Sequence, residues 1–219
     1  MVFKMMNIGE LTIEQTRTYY PMLTDQRKNK INAMESADER AVTFCSEILA
    51  RKCLSELLDA PEFSFQLLCN ANSKSIVGNY TANLNISAAG KVVACAAGTT
   101  NVGTGVREYA PFSFSDAQKL FTDAEIRAIY SESRSSFVDL IKMPACNEES
   151  VMRMHALFAA LKDAYFNASG RGVRSNLNKV GFFFNGDRII CTDENYIVCN
   201  ALFDDKTKTA VAVIERKDK

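Results

Sequence analysis

The first clear periodicity along the chain begins at Ser36. Ser36-Ala37-Asp38-Glu39 has the form of a capping box, in which hydroxyl and carboxylate satisfy each other's orphan N–H groups. Beyond it Ala41, Phe44, Cys45, Ile48, Leu49, Cys53 and Leu57 recur at helical spacing, predicting a helix with a broad apolar face to about Leu58. Apolar runs at 63–69, 82–87, 91–97 and 101–106 then read as strands, and Ser87-Ala88-Ala89-Gly90 suits a tight turn between two of them.

After Pro111 the pattern starts again. Ser115 opens one short helix, and Thr122-Asp123-Ala124-Glu125 caps a second that runs to about Tyr130. The polar stretch 131–148 reads as a loop. From about Glu149 to Phe166, Val151, Met154, Phe158, Leu161 and Tyr165 mark a helix, stopped by Gly170 and Gly172. Near the C-terminus Asn185-Gly186 suits a type I′ hairpin, followed by strands in 195–203 and 209–216. The expectation is an α+β fold of two similar helix-plus-antiparallel-sheet halves, 1–110 and 111–219, closely packed with no long linker.

Composition narrows the function classes. The 219 residues are 47% apolar and 24% charged, as in globular chains. Basic and acidic residues balance at 26 each, so no overall field argues for nucleic acid or a membrane surface. The N-terminus shows no apolar run long enough for a signal peptide or a span. Seven cysteines without CxxC spacing read as reduced, mostly buried thiols, which fits a cytoplasmic protein and makes the sequons at Asn79, Asn85 and Asn167 chance matches. A single histidine, His155, excludes a His-based triad or a multi-histidine metal site.

Taken alone, the chemistry-bearing stretches have plain explanations. Lys162-Asp163 reads as a solvated pair on a helix, and Gly170-Arg171-Gly172 as a C-cap with an exposed arginine. The segment 98–105 is glycine-rich but lacks the lysine and following helix of a P-loop, so a turn between strands fits it better. Arg27, Lys28 and Lys30 form a basic cluster, a solvated face or a place for a phosphate.

In order along the chain, these pieces resemble the 4′-phosphopantetheinyl transferase superfamily, of the long, surfactin-synthase-activating, pseudo-dimeric type. The resemblance rests on Asn72-Ser73-Lys74, Asn85-Ile86-Ser87, the 102–108 strand, Thr122 with Glu125, Lys162-Asp163, and Gly170 with Gly172. It spans about Arg27 to Ile214. It implies transfer of phosphopantetheine from coenzyme A to a serine of an acyl or peptidyl carrier protein, with Mg²⁺ on the pyrophosphate.

Carried over by position, the resemblance makes Asp163 and Lys162 the catalytic pair. Lys28, Lys30, Lys74, Ser87, Lys91, Arg107 and Arg171 become contacts for coenzyme A, and Asp163 and Glu108 the metal ligands. The chain departs from the family pattern at several points. Ala88 stands where histidine is usual, Ala159 where tryptophan is, and Asn167 where a second lysine is. In the strand motif the two acidic positions fall on Gly105 and Arg107 in one register, and on Arg107 and Tyr109 in the other. Strand alternation turns Glu108 away from Arg107. Two metal-ligand positions are therefore not acidic, which implies impaired or lost transfer. The alternative is a non-catalytic protein binding coenzyme A, a nucleotide or a carrier protein in a regulatory or structural role.

Overall fold

A computed structural model of the chain describes residues 1–69, 75–131, 133, 145–170 and 177–218. Lys74, Gly172, Arg171 and most of the expected 131–148 loop lie outside the described residues. The fold is mixed α+β with small antiparallel sheets. Among the described residues no helix is long and apolar enough to cross a membrane.

The chain opens with β1 (Val2–Asn7), a strand that the apolar pattern did not single out because Lys4 interrupts it. Two short helices follow, α1 (Ile13–Tyr19) and α2 (Asp25–Asn32), then the long α3 (Ala37–Leu58). Ser36 caps α3 by accepting from the Glu39 N–H, and Asp59 ends it in the left-handed region. After a 3₁₀ turn at Glu62–Ser64 come the hairpin β2 (Leu67–Cys69) and β3 (Ser75–Val77), then β4 (Asn83–Ala89) and β5 (Val92–Gly98). The first of these strands is shorter than its apolar run because the 3₁₀ turn takes up its start.

The same succession then recurs. It runs through β6 (Val102–Glu108), two short helices, α4 (Phe114–Leu120) and α5 (Asp123–Tyr130), and the long α6 (Glu149–Ser169). A 3₁₀ turn at Leu177–Lys179 leads to the hairpin β7 (Phe182–Asn185) and β8 (Arg188–Cys191), then β9 (Tyr196–Asp204) and β10 (Thr209–Arg216). The sheets are ordered β1-β5-β4 and β6-β10-β9, so in each the last strand lies in the middle, between the first and the penultimate. By hydrogen bonding β6 belongs with β10, and the chain passes from one sheet to the other at 99–101, ahead of the division at residue 110 expected from sequence.

Alternation along the central strands explains how the layers stack. In β5, Val93, Cys95 and Ala97 pack under α3, while Val92, Ala94 and Ala96 meet Val102, Val106, Val211 and Val213 of the other sheet. In β10, Ala210, Ala212 and Ile214 turn to α6. The order is helix, sheet, sheet, helix, and both central strands are buried on two faces, so they read as continuous apolar runs.

The β7–β8 hairpin differs from the expected type I′ turn. Asn185 pairs with Arg188, so the two turn residues are Gly186 and Asp187, and only Gly186 has positive φ, at 59°. Glycine at the first of two turn positions is the type II′ signature.

Strand β6 approaches α6 so closely that side chains are excluded. A Cβ on Gly103 would lie 2.0 Å from the Ala164 carbonyl oxygen, and one on Gly105 would lie 2.0 Å from that of Ala160. Ala160, Ala164 and Ala168 form an i, i+4 row that lets the strand lie against the helix backbone. On its other side β6 is an edge strand whose outward groups are taken by side chains. Asn85 Oδ1 accepts from Thr104 N and Oγ1 at 2.8 Å, Ser87 Oγ accepts from Val106 N at 3.2 Å, and Asn167 Nδ2 donates to Thr104 O at 2.9 Å. The edge is closed to further pairing by these bonds.

Gly105→Ala is therefore expected to destabilise the protein by about 3 kcal/mol or more, at the upper end of overpacking effects. Gly181→Ala, whose Cβ would have as its nearest neighbours Thr122 side-chain atoms at 3.3 Å and 3.4 Å and Thr192 Cγ2 at 3.5 Å, should cost far less. Urea unfolding of the two variants beside the parent measures the difference.

Candidate functional site

Four of the sequence-derived site residues line one cavity of about 200 Å³: Arg107 and Glu108 at the end of β6, and Lys162 and Asp163 on α6. Its remaining wall comes from the 110–111 corner, the end of α4 through Leu120 and Phe121, His155 and Ala159 of α6, and Leu177. Ala159 stands where the resembled pattern has tryptophan, and the small side chain leaves this space open.

Arg107 and Asp163, 56 positions apart, meet through Arg107 Nε and Asp163 Oδ2 at 2.5 Å. The arginine side chain is 44% exposed and the aspartate 14%. Asp163 takes the Nε–H, and the planar guanidinium carries two further nitrogens, the kind of group that suits two-point binding of a carboxylate or phosphate. Glu108 turns the other way, as alternation requires. Its carboxylate lies where a Cβ on Gly90 would be, 2.4 Å away, beside the β4–β5 turn that carries Lys91.

Lys162 is a different kind of residue. Its side chain is 2% exposed, and its ammonium pairs with Glu125 at 2.8 Å and donates to Leu177 O at 2.9 Å and to Val180 O. These three partners use all the donors an ammonium has. Burial pulls the Lys162 pKa below its ordinary value, and the Glu125 carboxylate opposes that. Glu125 is fully buried and equally occupied. It closes the capping box with Thr122 and accepts from Phe182 N at 2.9 Å. The motif Thr122…Glu125 and the motif residue Lys162 thus join two helices to the segment leading into β7.

The other candidates lie apart from the cavity. Lys28 and Lys30 are on α2, which packs on α3 through Ile31 and the Arg27–Glu47 ion pair at 2.8 Å, and Lys28 pairs with Asp25 at 3.6 Å. Ser87 holds Val106 N at the β4–β6 joint. Lys91 is exposed in its turn. Lys74 and Arg171 lie outside the described residues. Asn79, like Asn85 and Asn167, uses its side-chain amide within the fold, bonding Gln66 N and Ser64 O. Six cysteines with described side chains are free, Cys199 alone of them exposed.

His155 was not foreseen as a site residue. It lies one and two helical turns before Ala159 and Asp163, so the i, i+4, i+8 spacing was the available signal. Its ring stacks on Phe112 at 3.5 Å and meets Phe121 edge-on at 5.2 Å. Nε2 is buried with no hydrogen-bond partner. Burial, aided by Arg107 and opposed by Asp116, lowers its pKa to about 4, so the ring is neutral at neutral pH.

The residues present do not suit Mg²⁺. The ion asks for near-octahedral oxygen ligands. Gly105, pressed on α6, has no room for a side chain; Arg107 puts a guanidinium on the Asp163 carboxylate, and Glu108 points elsewhere. Among the described residues no three His, Cys, Asp or Glu side chains come together in a metal-holding group.

Two outcomes follow from these charges. Lys162→Met should lower stability by about 3–5 kcal/mol by leaving Glu125 buried and unpaired. Adding Glu125→Gln should cost less than the sum of the single changes in urea unfolding. A lysine serving chemistry alone would leave stability unchanged. For His155 the folded ring protonates near 4 and the unfolded one near 6.5. Between those values the unfolded chain binds more protons, so this contribution is complete above about pH 6.5 and is lost as pH falls toward 4, by roughly 3 kcal/mol. Unfolding curves at pH 7, 5.5 and 4.5 should show a smaller loss in His155→Leu than in the parent.

No family model matches the chain, and no curated protein matches its sequence.

Proposed function

We propose that the protein is a non-catalytic member of the phosphopantetheinyl transferase-like architecture, a pseudo-dimer whose site binds an anionic ligand directly on Arg107 without a divalent metal. What supports the architecture is the repeated succession of strand, two short helices, long helix, 3₁₀ turn, hairpin and two strands, with the same strand order in both sheets. The observation that carries the function is the 2.5 Å contact of Arg107 with Asp163. The resemblance assigns these two positions, far apart in sequence, to one site, and they meet as cation and carboxylate instead of as two metal ligands.

A guanidinium already oriented by Asp163 can neutralise an anion without reorganising, which is what a binding site needs. Transfer is a different matter. It requires charge on the bridging oxygen to be stabilised as it builds, and losing a single such group commonly costs about 10²–10³ in rate. With Gly105 pressed on α6 and Lys162 enclosed by protein acceptors, the residues left to do this are few. Coenzyme A is the ligand the resemblance implies. It would place one phosphate on the Arg107 fork.

Calorimetric titration with coenzyme A should give the same isotherm in Mg²⁺ and in EDTA, weakened at least tenfold by Arg107→Ala. Incubation with coenzyme A, Mg²⁺ and an apo carrier protein should leave the carrier's mass unchanged. Binding that disappears on chelation, or a phosphopantetheine mass increase, would overturn the reading.

A further inference from the structure

We propose that the protein forms a two-fold dimer in which β1 of each copy lies against the outer edge of β9 of the other. The inference is independent of what Arg107 binds. It rests on a strand edge that the chain covers in its first half and leaves bare in its second.

Inside the chain, β6 covers the outer side of β4. The two strands run parallel there, with Asn85 Oδ1 accepting from Thr104 N at 2.8 Å and Ser87 Oγ accepting from Val106 N at 3.2 Å. In the second sheet β9 holds the place of β4, beside the central strand. Counted from the connection to that central strand, Asn85 opposite Ala96 is the fifth pair in one sheet, and Asn200 opposite Val213 is the fifth pair in the other. An asparagine therefore stands at the same place in both strands. Asn85 holds a neighbouring strand, whereas among the described residues the Asn200 amide has no hydrogen-bond partner.

The outer side of β9 is also open. Its main neighbours are β10, β8 and α6, with no strand in the position that β6 takes on β4. A cavity of about 750 Å³ is lined by the unbroken run 196–201. Successive side chains of a strand point to opposite faces, so a space touching every residue runs along its edge. Strand β8 flanks β9 as β3 flanks β4, and β3 leaves room for β6.

The strand equivalent to β6 is β1, since Phe3 lies opposite Ala96 as Thr104 lies opposite Val213. Its outer edge is free as well. Among the described residues nothing outside β5 bonds the backbone of 3–6, and Lys4 is drawn to Glu56 of α3 instead of guarding the edge. Because β4 and β6 join one side of the stacked sheets, β1 and β9 share the opposite side. Phe3, Met5 and Leu202 accordingly border the same inter-sheet clusters. The two strands run parallel. A two-fold axis along them thus places β1 on β9 of the second copy, and β9 on its β1, in the sense already used by β6 on β4. Asn200 then receives the Phe3 N–H of the other copy. The bulge at Cys199 ends the regular edge, so the joint runs over 200–204 against 3–7. Exposed Met1 and Ile197 stand at the end of that joint and gain cover. A contact of this kind is isologous and closes at two copies.

Sedimentation equilibrium should give twice the mass of one chain, with a dissociation constant below about 10 μM. Asn200→Ala removes one bond from each joint and should weaken the dimer by about tenfold or more. Ile197→Lys puts a charge on each joint and should weaken it by about a hundredfold. Both variants should keep the parent's far-UV spectrum. Phe63→Lys, at an exposed site beside the hairpin that flanks β4, should change the constant by less than about threefold. Amide exchange at Phe3 should slow as concentration rises through the dissociation constant. A monomer at about 100 μM overturns the inference, as does a dimer unmoved by Asn200→Ala and Ile197→Lys. A mass that keeps growing with concentration, the mark of an open contact, also overturns it.

Discussion

An ammonium with no access to solvent must find its partners inside the protein, and the way Lys162 does so organises the second half of the molecule. It holds Glu125 on α5, the first carbonyl of the 177–179 turn and the carbonyl just after that turn. The first half has a counterpart. Arg51 of α3, 2% exposed, donates to Glu62 O and Phe65 O, again the first residue of a 3₁₀ turn and the residue after it, and also to Met22 O. Arg51 is the fifteenth residue of its long helix and Lys162 the fourteenth of its own. Each is accompanied by a buried glutamate, Glu47 or Glu125. A buried cation on the long helix thus fixes the path into the small hairpin in both halves. Replacing such a pair by apolar groups can be neutral, whereas removing one partner is costly, so the charges specify geometry more than they add stability.

Around that anchor, the seam between β6 and α6 decides what the site can be. Close approach of strand and helix backbones needs glycine on one side and alanine on the other, and Gly103, Gly105 and the alanine row supply them. The first strand position long enough to project is Arg107, where the strand leaves the helix, and it meets Asp163 one turn beyond Ala159. Packing thereby removes one position from any ligand set and hands the next to an ion pair. The cavity under that pair remains because Ala159 fills so little of it and because His155 is held aside by stacking on Phe112.

Much of the architecture was legible in the chain. The capping residues Ser36 and Thr122, the long helical periodicities and the strands after them are local features, set by side-chain spacing and by hydrogen bonds within a few residues. β1 was not legible, since its pairing with β5 is long-range and Lys4 breaks its apolar run. The hairpin type was missed by one residue because register comes from the paired strands as well as from the turn. Of the site, the residues Arg107, Glu108, Lys162 and Asp163 were named from order along the chain, while His155 and the enclosure of Lys162 were not.

The chain by itself determined its class of fold, the placing of its long helices and the absence of acidic residues at Gly105 and Arg107, because these depend on local spacing and on which residues are present. Only the tertiary structure decided that Lys162 is spent on protein carbonyls and Glu125, that Ser87 and Asn85 close a strand edge, and that Arg107 and His155 line one cavity. Those outcomes turn on which elements lie within hydrogen-bonding reach and how much water is left between them, and neither quantity is a property of any stretch of sequence taken alone.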